Sequence, residues 1–206
     1  MSMRIGYGWD SHEFKTGVPL TIGGLKIDHP QGLFGHSDGD VLLHAITDAL
    51  LGAIAVGDIG SFFPPGDPRW KDADSAIFLN LAVEEVQTAG YRIVNVDTTL
   101  VLAAPKIGPI SSEMRERVAE LLQIRPNAVG IKAKTPEGLS HDHVAVAHAV
   151  VLLEQFDAEE GLRQMEASIE DHQTVEAVVS ELVKEVHGTR PRRTALPPSF
   201  DTEDIT

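Results

Sequence analysis

Residues 35–53 read G-H-S-D-G-D-V-L-L-H-A-I-T-D-A-L-L-G-A. Within this stretch Val41, Leu42, Ala45, Ile46, Ala49 and Leu50 recur at a spacing that gives a wide apolar face, which predicts a helix from Asp38 to Ile54. Ser37 is the predicted N-cap, and Asp38 and Asp40 fall where a helix dipole favours acids. His44 is therefore carried on a helix that must bury one side.

Outward from this helix the chain alternates in character. Arg4 to Trp9 reads as a short strand interrupted by Gly6 and Gly8, and nothing is read from Ser2 and Met3. Leu20 to Ile22 and Leu25 to Ile27 read as a hairpin about Gly23 and Gly24. The Gly-, Pro- and Asp-rich segment from Gly57 to Lys71 reads as a loop, followed by a helix from Ser75 to Ala89 that Gly90 ends. Beyond it the pattern predicts a strand (Val94 to Ala103), a helix (Ile110 to Leu122), a strand (Val129 to Lys134) and a helix (Val144 to Gln155). This order predicts an α+β fold, a two-layer sandwich with a mixed β-sheet covered by helices on one face.

The 206 residues suit one domain with an appendage, and 42% hydrophobic residues are enough to fill a core. Past Phe156 the composition shifts: residues 155–206 carry 12 acidic and 5 basic side chains. Residues 157–206 read as an acidic helical C-terminal extension ending in a flexible basic, Pro-rich tail from Arg190. A net charge of -14 argues against nucleic acid as a partner. No apolar run approaches the length of a membrane span and no signal-peptide pattern is present, so the expected location is the cytoplasm.

With no cysteine, a transition-metal site must be built from imidazole and carboxylate. Asp10 and His12 are two residues apart, and in extended backbone such residues share a face. His44 can supply a third ligand. Two imidazoles and one carboxylate leave a tetrahedral position open, as in a catalytic zinc site. D-x-H pairs also arise by chance with capping or surface roles.

The surrounding text is more specific. G-Y-G-W-D-S-H (Gly6 to His12), the block from Gly35 to Ala53, G-D-I-G-S-F-F-P (Gly57 to Pro64) and A-P-K (Ala104 to Lys106) resemble, in order and interval, the motifs of the 2-C-methyl-D-erythritol 2,4-cyclodiphosphate synthase family. The resemblance covers Arg4 to about Phe156 and makes residues 1–156 the synthase domain. It implies a homotrimer with active sites between subunits, a Zn2+ ion on Asp10, His12 and His44, and a second divalent ion, Mg2+ or Mn2+, held at the diphosphate by Glu137. By itself Glu137 reads as a solvated loop acid.

The implied reaction is a metal-dependent intramolecular phosphoryl transfer on a cytidine diphosphate substrate, giving a cyclic diphosphate and CMP. Thr135 would orient the diphosphate, although a strand-end threonine commonly bonds to backbone. His36 and Ser37 would hold the erythritol 2-phosphate, and Asp58 and Gly60 the ribose. Ala103, Ala104, Pro105, Lys106 and Ile107 would surround cytosine, and Phe63 and Ala133 complete the substrate set. Asp48, one helical turn beyond His44, reads equally as a metal-site partner or a surface acid.

The family pattern is broken in two places. Residues 134–147 read K-T-P-E-G-L-S-H-D-H-V-A-V-A, without the family's Gly-rich, arginine-bearing stretch. Lys134 is the candidate replacement for that positive charge, and His141, Asp142 and His143 form a further polar cluster. Pro65 replaces a usual aspartate near the erythritol, leaving Asp67 as its substitute. Two alternatives stay open: a non-catalytic member acting as a metal-binding partner or scaffold through its C-terminal helices, and a zinc phosphohydrolase using a metal-bound water.

Overall fold

The computed structural model describes residues 2–138 and 142–156. Strand β1 runs Met3–Thr16, followed by the hairpin β2 (Leu20–Ile22) and β3 (Leu25–Ile27), and then β4 (Gln31–Phe34). Helix α1 (Val41–Ala53) leads through short α2 (Ile59–Phe62) and a 3-10 turn at Pro68–Trp70 to α3 (Ala76–Thr88). Strand β5 (Tyr91–Val101), helix α4 (Ser111–Leu122), β6 (Val129–Lys134) and β7 (Val144–Gln155) complete the domain. The main sheet has the order β4-β1-β7-β5-β6, with β5 and β6 parallel and the other pairings antiparallel. The fold is α+β with a mixed sheet, as predicted.

One predicted element has the wrong type. Residues 144–155 form β7, the central strand between β1 and β5, instead of a helix. Residues 144–153, V-A-V-A-H-A-V-V-L-L, are apolar at nearly every position, so the run fits a helical period as well as a strand. Burial selects the period of two: Ala145, Ala147, Ala149, Val151 and Leu153 are all fully buried. A central strand has neighbours on both edges and reads as a near-continuous hydrophobic run.

Smaller differences follow from hydrogen bonding. Strand β1 extends to Thr16 because β7 pairs with it from Met3 to Glu13 and β4 from Glu13 onward, so Asp10 and His12 lie within the strand, and not after it. The N-cap of α1 is Asp40, three residues beyond the predicted Ser37. Its fully buried carboxylate accepts from Leu42 and Leu43 at 3.1 and 3.0 Å, and from Gly23 and Gly24 in the hairpin turn at 2.9 and 2.7 Å. Burial pushes the Asp40 carboxyl above its ordinary range, and these N–H donors oppose the push. One side chain thus starts the helix and pins the β2–β3 hairpin to it.

Helix α1 lies against β1 and β7. A Cβ on Gly6 would stand 1.8 Å from the Ala49 carbonyl oxygen, so only glycine permits this approach. Gly6, Gly8, Asp10, His12 and Phe14 alternate onto the helix-facing side of β1, which brings the polar pair to the same layer as His44. Among the described residues no helix is long and apolar enough to cross a membrane. The expected C-terminal helices and tail, and His141, lie outside the described residues.

Candidate active site

Asp10, His12 and His44 converge from β1 and α1, each offering one ligand atom within 4.8 Å of the others. Asp10 Oδ2 is 2.9 Å from both His12 Nε2 and His44 Nδ1, and the two ring nitrogens are 3.1 Å apart. In a tetrahedral zinc site with bonds of about 2.0 Å, ligand atoms lie about 3.3 Å apart. A few tenths of an ångström of outward movement therefore suffices to admit the ion.

The far side of each imidazole is also engaged. His12 Nδ1 lies 3.1 Å from the Phe34 carbonyl oxygen, which accepts only, so Nδ1 carries the proton and Nε2 turns a lone pair toward Asp10. His44 Nε2 lies 2.8 Å from Ser75 Oγ and 3.1 Å from Ser37 Oγ. Bare ring nitrogens facing a carboxylate at 3 Å repel one another unless a proton or a metal cation lies between them. The donor set therefore fits a divalent metal, and zinc suits its two nitrogens and one oxygen.

Without metal, the same contacts set the proton affinities. Burial lowers the His12 pKa, but the hydrogen bond and charge of Asp10 outweigh it and raise His12 above its ordinary value. Burial raises the Asp10 carboxyl, and the hydrogen bonds and charge of His12 and His44 in their imidazolium forms outweigh that, holding it well below the usual carboxylate range.

The metal group opens into a cavity of about 250 Å³ that His36, Ser37, Gly60 and Phe63 also line. His36 Nε2 is hydrogen-bonded to the Asp67 carbonyl oxygen at 3.0 Å. Phe63, Trp70 and Phe78 pack into one aromatic wall, with Phe63 centred 4.9 Å from Trp70 and 4.4 Å from Phe78. The Trp70 indole N–H is buried there with no acceptor among the described residues. Asp48 lines the cavity too and accepts from the Ile59 N–H at 2.8 Å, tying α2 to α1; burial pushes its carboxyl up.

Asp58 caps α2, accepting from the Ser61 hydroxyl and N–H at 2.7 and 2.8 Å, bonds that hold its exposed carboxyl low. The Asp67 carboxylate is engaged by Arg69 at 2.6 and 2.9 Å and does not line this cavity. A second cavity of about 610 Å³ lies beyond Ser37, between the β2–β3 hairpin, Phe34 and Asp72 and Asp74.

The remaining predicted residues gather elsewhere. Ala103, Ala104, Pro105, Lys106 and Ile107 follow β5, while Ala133, Lys134, Thr135 and Glu137 end or follow β6, its parallel neighbour. Leu102 N–H donates to the Lys134 carbonyl at 3.1 Å, which joins the two segments. The Thr135 hydroxyl donates to Glu137, whose φ of 49° places it in the left-handed region and turns the chain back. His12 pairs with Ala145 on β7, and Val101, opposite Lys134, pairs with Val146. Both groups therefore sit at one end of the sheet, but β7 and β5 separate β1 from β6. At about 4.8 Å per strand, that is roughly 14 Å.

Sequence reasoning missed Ser75, Asp38 as a hydrogen-bonding group, the Phe34 carbonyl, and Trp70. Two of these act through groups that pattern reading gives no cue to, a backbone carbonyl and a serine read only as a helix start.

The sequence profile of the YgbB family matches residues 3–154. A 2-C-methyl-D-erythritol 2,4-cyclodiphosphate synthase of Koribacter versatilis is 65% identical over 153 residues, covering 74% of this chain and 99% of that protein. The synthase of Moorella thermoacetica is 50% identical over 163 residues, covering 78% of this chain and all of the relative. A solved structure of 2C-methyl-D-erythritol-2,4-cyclodiphosphate synthase aligns with a TM-score of 0.70 at 44% identity, over 73% of this chain and 100% of the other. A CDP-bound form of such a synthase aligns at 0.70 with 42% identity, over the same shares. This chain therefore belongs to the 2-C-methyl-D-erythritol 2,4-cyclodiphosphate synthase family, the YgbB family.

Proposed function

We propose that this protein converts 4-diphosphocytidyl-2-C-methyl-D-erythritol 2-phosphate to 2-C-methyl-D-erythritol 2,4-cyclodiphosphate and CMP in non-mevalonate isoprenoid biosynthesis, in the cytoplasm. The observation that carries this reading is the convergence of Asp10, His12 and His44 at a cavity shared with His36, Ser37 and Gly60. The names of the relatives favour catalysis over a scaffold role.

In this reaction an oxygen of the 2-phosphate attacks the β-phosphorus, the bond from that phosphorus to the bridging oxygen breaks, and CMP leaves with the electron pair. The nucleophile is already an anion, so no side chain must deprotonate it. The barrier lies in bringing two anions together in line. Divalent cations, Zn2+ at Asp10, His12 and His44 and Mg2+ or Mn2+ at Glu137, supply charge screening and phosphoryl polarisation when bound.

The chain's own residues do the rest. His36 and Ser37 hold the attacking 2-phosphate, and the Thr135 hydroxyl orients the diphosphate, with Lys134 adding positive charge beside it. Asp58 and Gly60 hold the ribose. Ala103 to Ile107 surround cytosine, and Phe63 and Ala133 complete the enclosure; the Asp67 carboxylate, paired with Arg69 outside the cavity, takes no part.

A homotrimer with sites at subunit interfaces is part of this proposal. The groups on β1 and β6 stand about 14 Å apart within one chain, too far to grip one diphosphate between them. A neighbouring copy supplies the missing half. The sheet face turned away from the helices suits such an assembly, since Ile5, Tyr7 and Trp9 on β1 are 72%, 57% and 56% exposed in one row, beside exposed Val150 on β7.

Incubating the full chain with the cytidyl substrate, Zn2+ and Mg2+ should release CMP and cyclic diphosphate in equal amounts. Inorganic phosphate in place of CMP, or no turnover at all, would refute the reading.

A further inference from the structure

We propose that Ser75 and Asp38 are positioning residues for His44, forming a hydrogen-bonded chain whose fixed direction keeps the His44 Nδ1 lone pair available to the metal ion. The inference rests on the metal reading above and extends it to residues outside the ligand set.

Asp38 takes both donors of Ser75. Its Oδ1 accepts the Ser75 hydroxyl at 2.5 Å and its Oδ2 accepts the Ser75 N–H at 3.3 Å. A carboxylate has no proton to return, so the single hydroxyl proton of Ser75 is committed to Asp38. Ser75 Oγ then meets His44 Nε2, 2.8 Å away, as an acceptor. Nε2 must carry the imidazole proton, and in a neutral ring the other nitrogen is bare. That nitrogen is Nδ1, which faces Asp10 and His12 at 2.9 and 3.1 Å.

The placement of Ser75 supports a dedicated role. It occupies the N-cap of α3, where a serine hydroxyl usually accepts from the first helical turn, yet its side chain makes no capping bond. Asp74 accepts from the Ala76 N–H instead, at 2.8 Å. Ser75 is fully buried, so water does not compete for its hydroxyl. The Asp38 N–H donates to the Ala73 carbonyl at 3.0 Å, which fastens the two segments side by side. Ser37 Oγ also approaches Nε2, at 3.1 Å, but it lies 3.3 Å from Ser75 Oγ and is bonded to no carboxylate, so it imposes no direction.

The test compares the full-length wild type with Ser75→Ala and Asp38→Asn. Zinc affinity is measured by competition with a chelator, and the His44 tautomer by 15N NMR of the metal-free protein at a pH where imidazoles are neutral. In the wild type His44 should be the Nε2–H form. Both variants should gain Nδ1–H character and bind zinc about 10- to 100-fold more weakly, the usual scale for losing the partner of a metal-bound histidine. Ser75→Ala removes one hydroxyl and Asp38→Asn is isosteric, so each serves if the other fails to fold. Zinc affinities within about twofold of wild type in both, or an Nδ1–H wild-type His44, would overturn the proposal. A wild type that binds no zinc would overturn the metal reading itself, a result distinguishable from equal binding by all three proteins.

Discussion

Gly8 on β1 lies against Ala45 on α1 so closely that a Cβ on Gly8 would stand 2.2 Å from the Ala45 carbonyl oxygen. Ala45 follows His44, and Gly8 precedes Asp10 by two residues on the same strand face. The contact therefore sets the separation between the two halves of the metal group.

Gly8→Ala must push α1 and β1 apart. The expected cost is about 1–3 kcal/mol or somewhat more, the range for forcing an extra carbon into a packed interior. Urea denaturation measures it, and zinc affinity should fall in parallel because the His44 and Asp10 ligand atoms separate.

His44→Ala removes a ligand without touching the exposed sheet face. CMP release should fall by about 100-fold or more, the scale of losing one group that stabilises transition-state charge. Native mass should stay that of the wild-type assembly. A variant that retains both zinc and turnover would contradict the assignment.

Asp40→Ala leaves four backbone N–H groups without their acceptor, two of them in the first turn of α1. Losing the cap alone costs about 1–2 kcal/mol, and each buried orphan donor adds about 1–3 kcal/mol where water cannot reach it. The expected loss in chemical denaturation exceeds 2 kcal/mol, with Asp40→Asn losing less.

The metal-free protein should show a definite pH window. His12 is raised above 6.5 in the fold, so the stabilisation from its pairing with Asp10 is fully present below pH 6.5 and is lost as pH rises through the folded value. Asp10 is depressed below 3.8, so its share is present above pH 3.8 and is lost as pH falls through its folded value. Zinc displaces the His12 proton, so zinc affinity should climb with pH over the range where the apoprotein weakens. Thermal melts with chelator and with zinc, taken across pH, read both slopes.

Much of this was legible in the chain before its fold was known. Alternation placed Asp10 and His12 on one face, and the apolar stripe of residues 41–50 placed His44 on a helix that must pack inward. Strand β7 was not legible, because residues 144–153 are apolar at both parities and only its two neighbouring strands decide its period. Nor was Asp40 as the cap: Ser37, Asp38 and Asp40 are all good caps by type, and the two hairpin N–H groups that favour Asp40 come from residues 23 and 24. The Ser75 hydroxyl escaped for a similar reason, since its partners lie 31 and 37 residues away in sequence.

The two strands that stand between His12 and Glu137 have a genetic corollary. If each reaction centre borrows its halves from different copies, a chain lacking His44 and a chain lacking Glu137 are each inert alone, yet their defects fall on opposite sides of a shared boundary. Co-expressed, they would form some boundaries in which both sides are sound, and partial turnover would return from two dead parents.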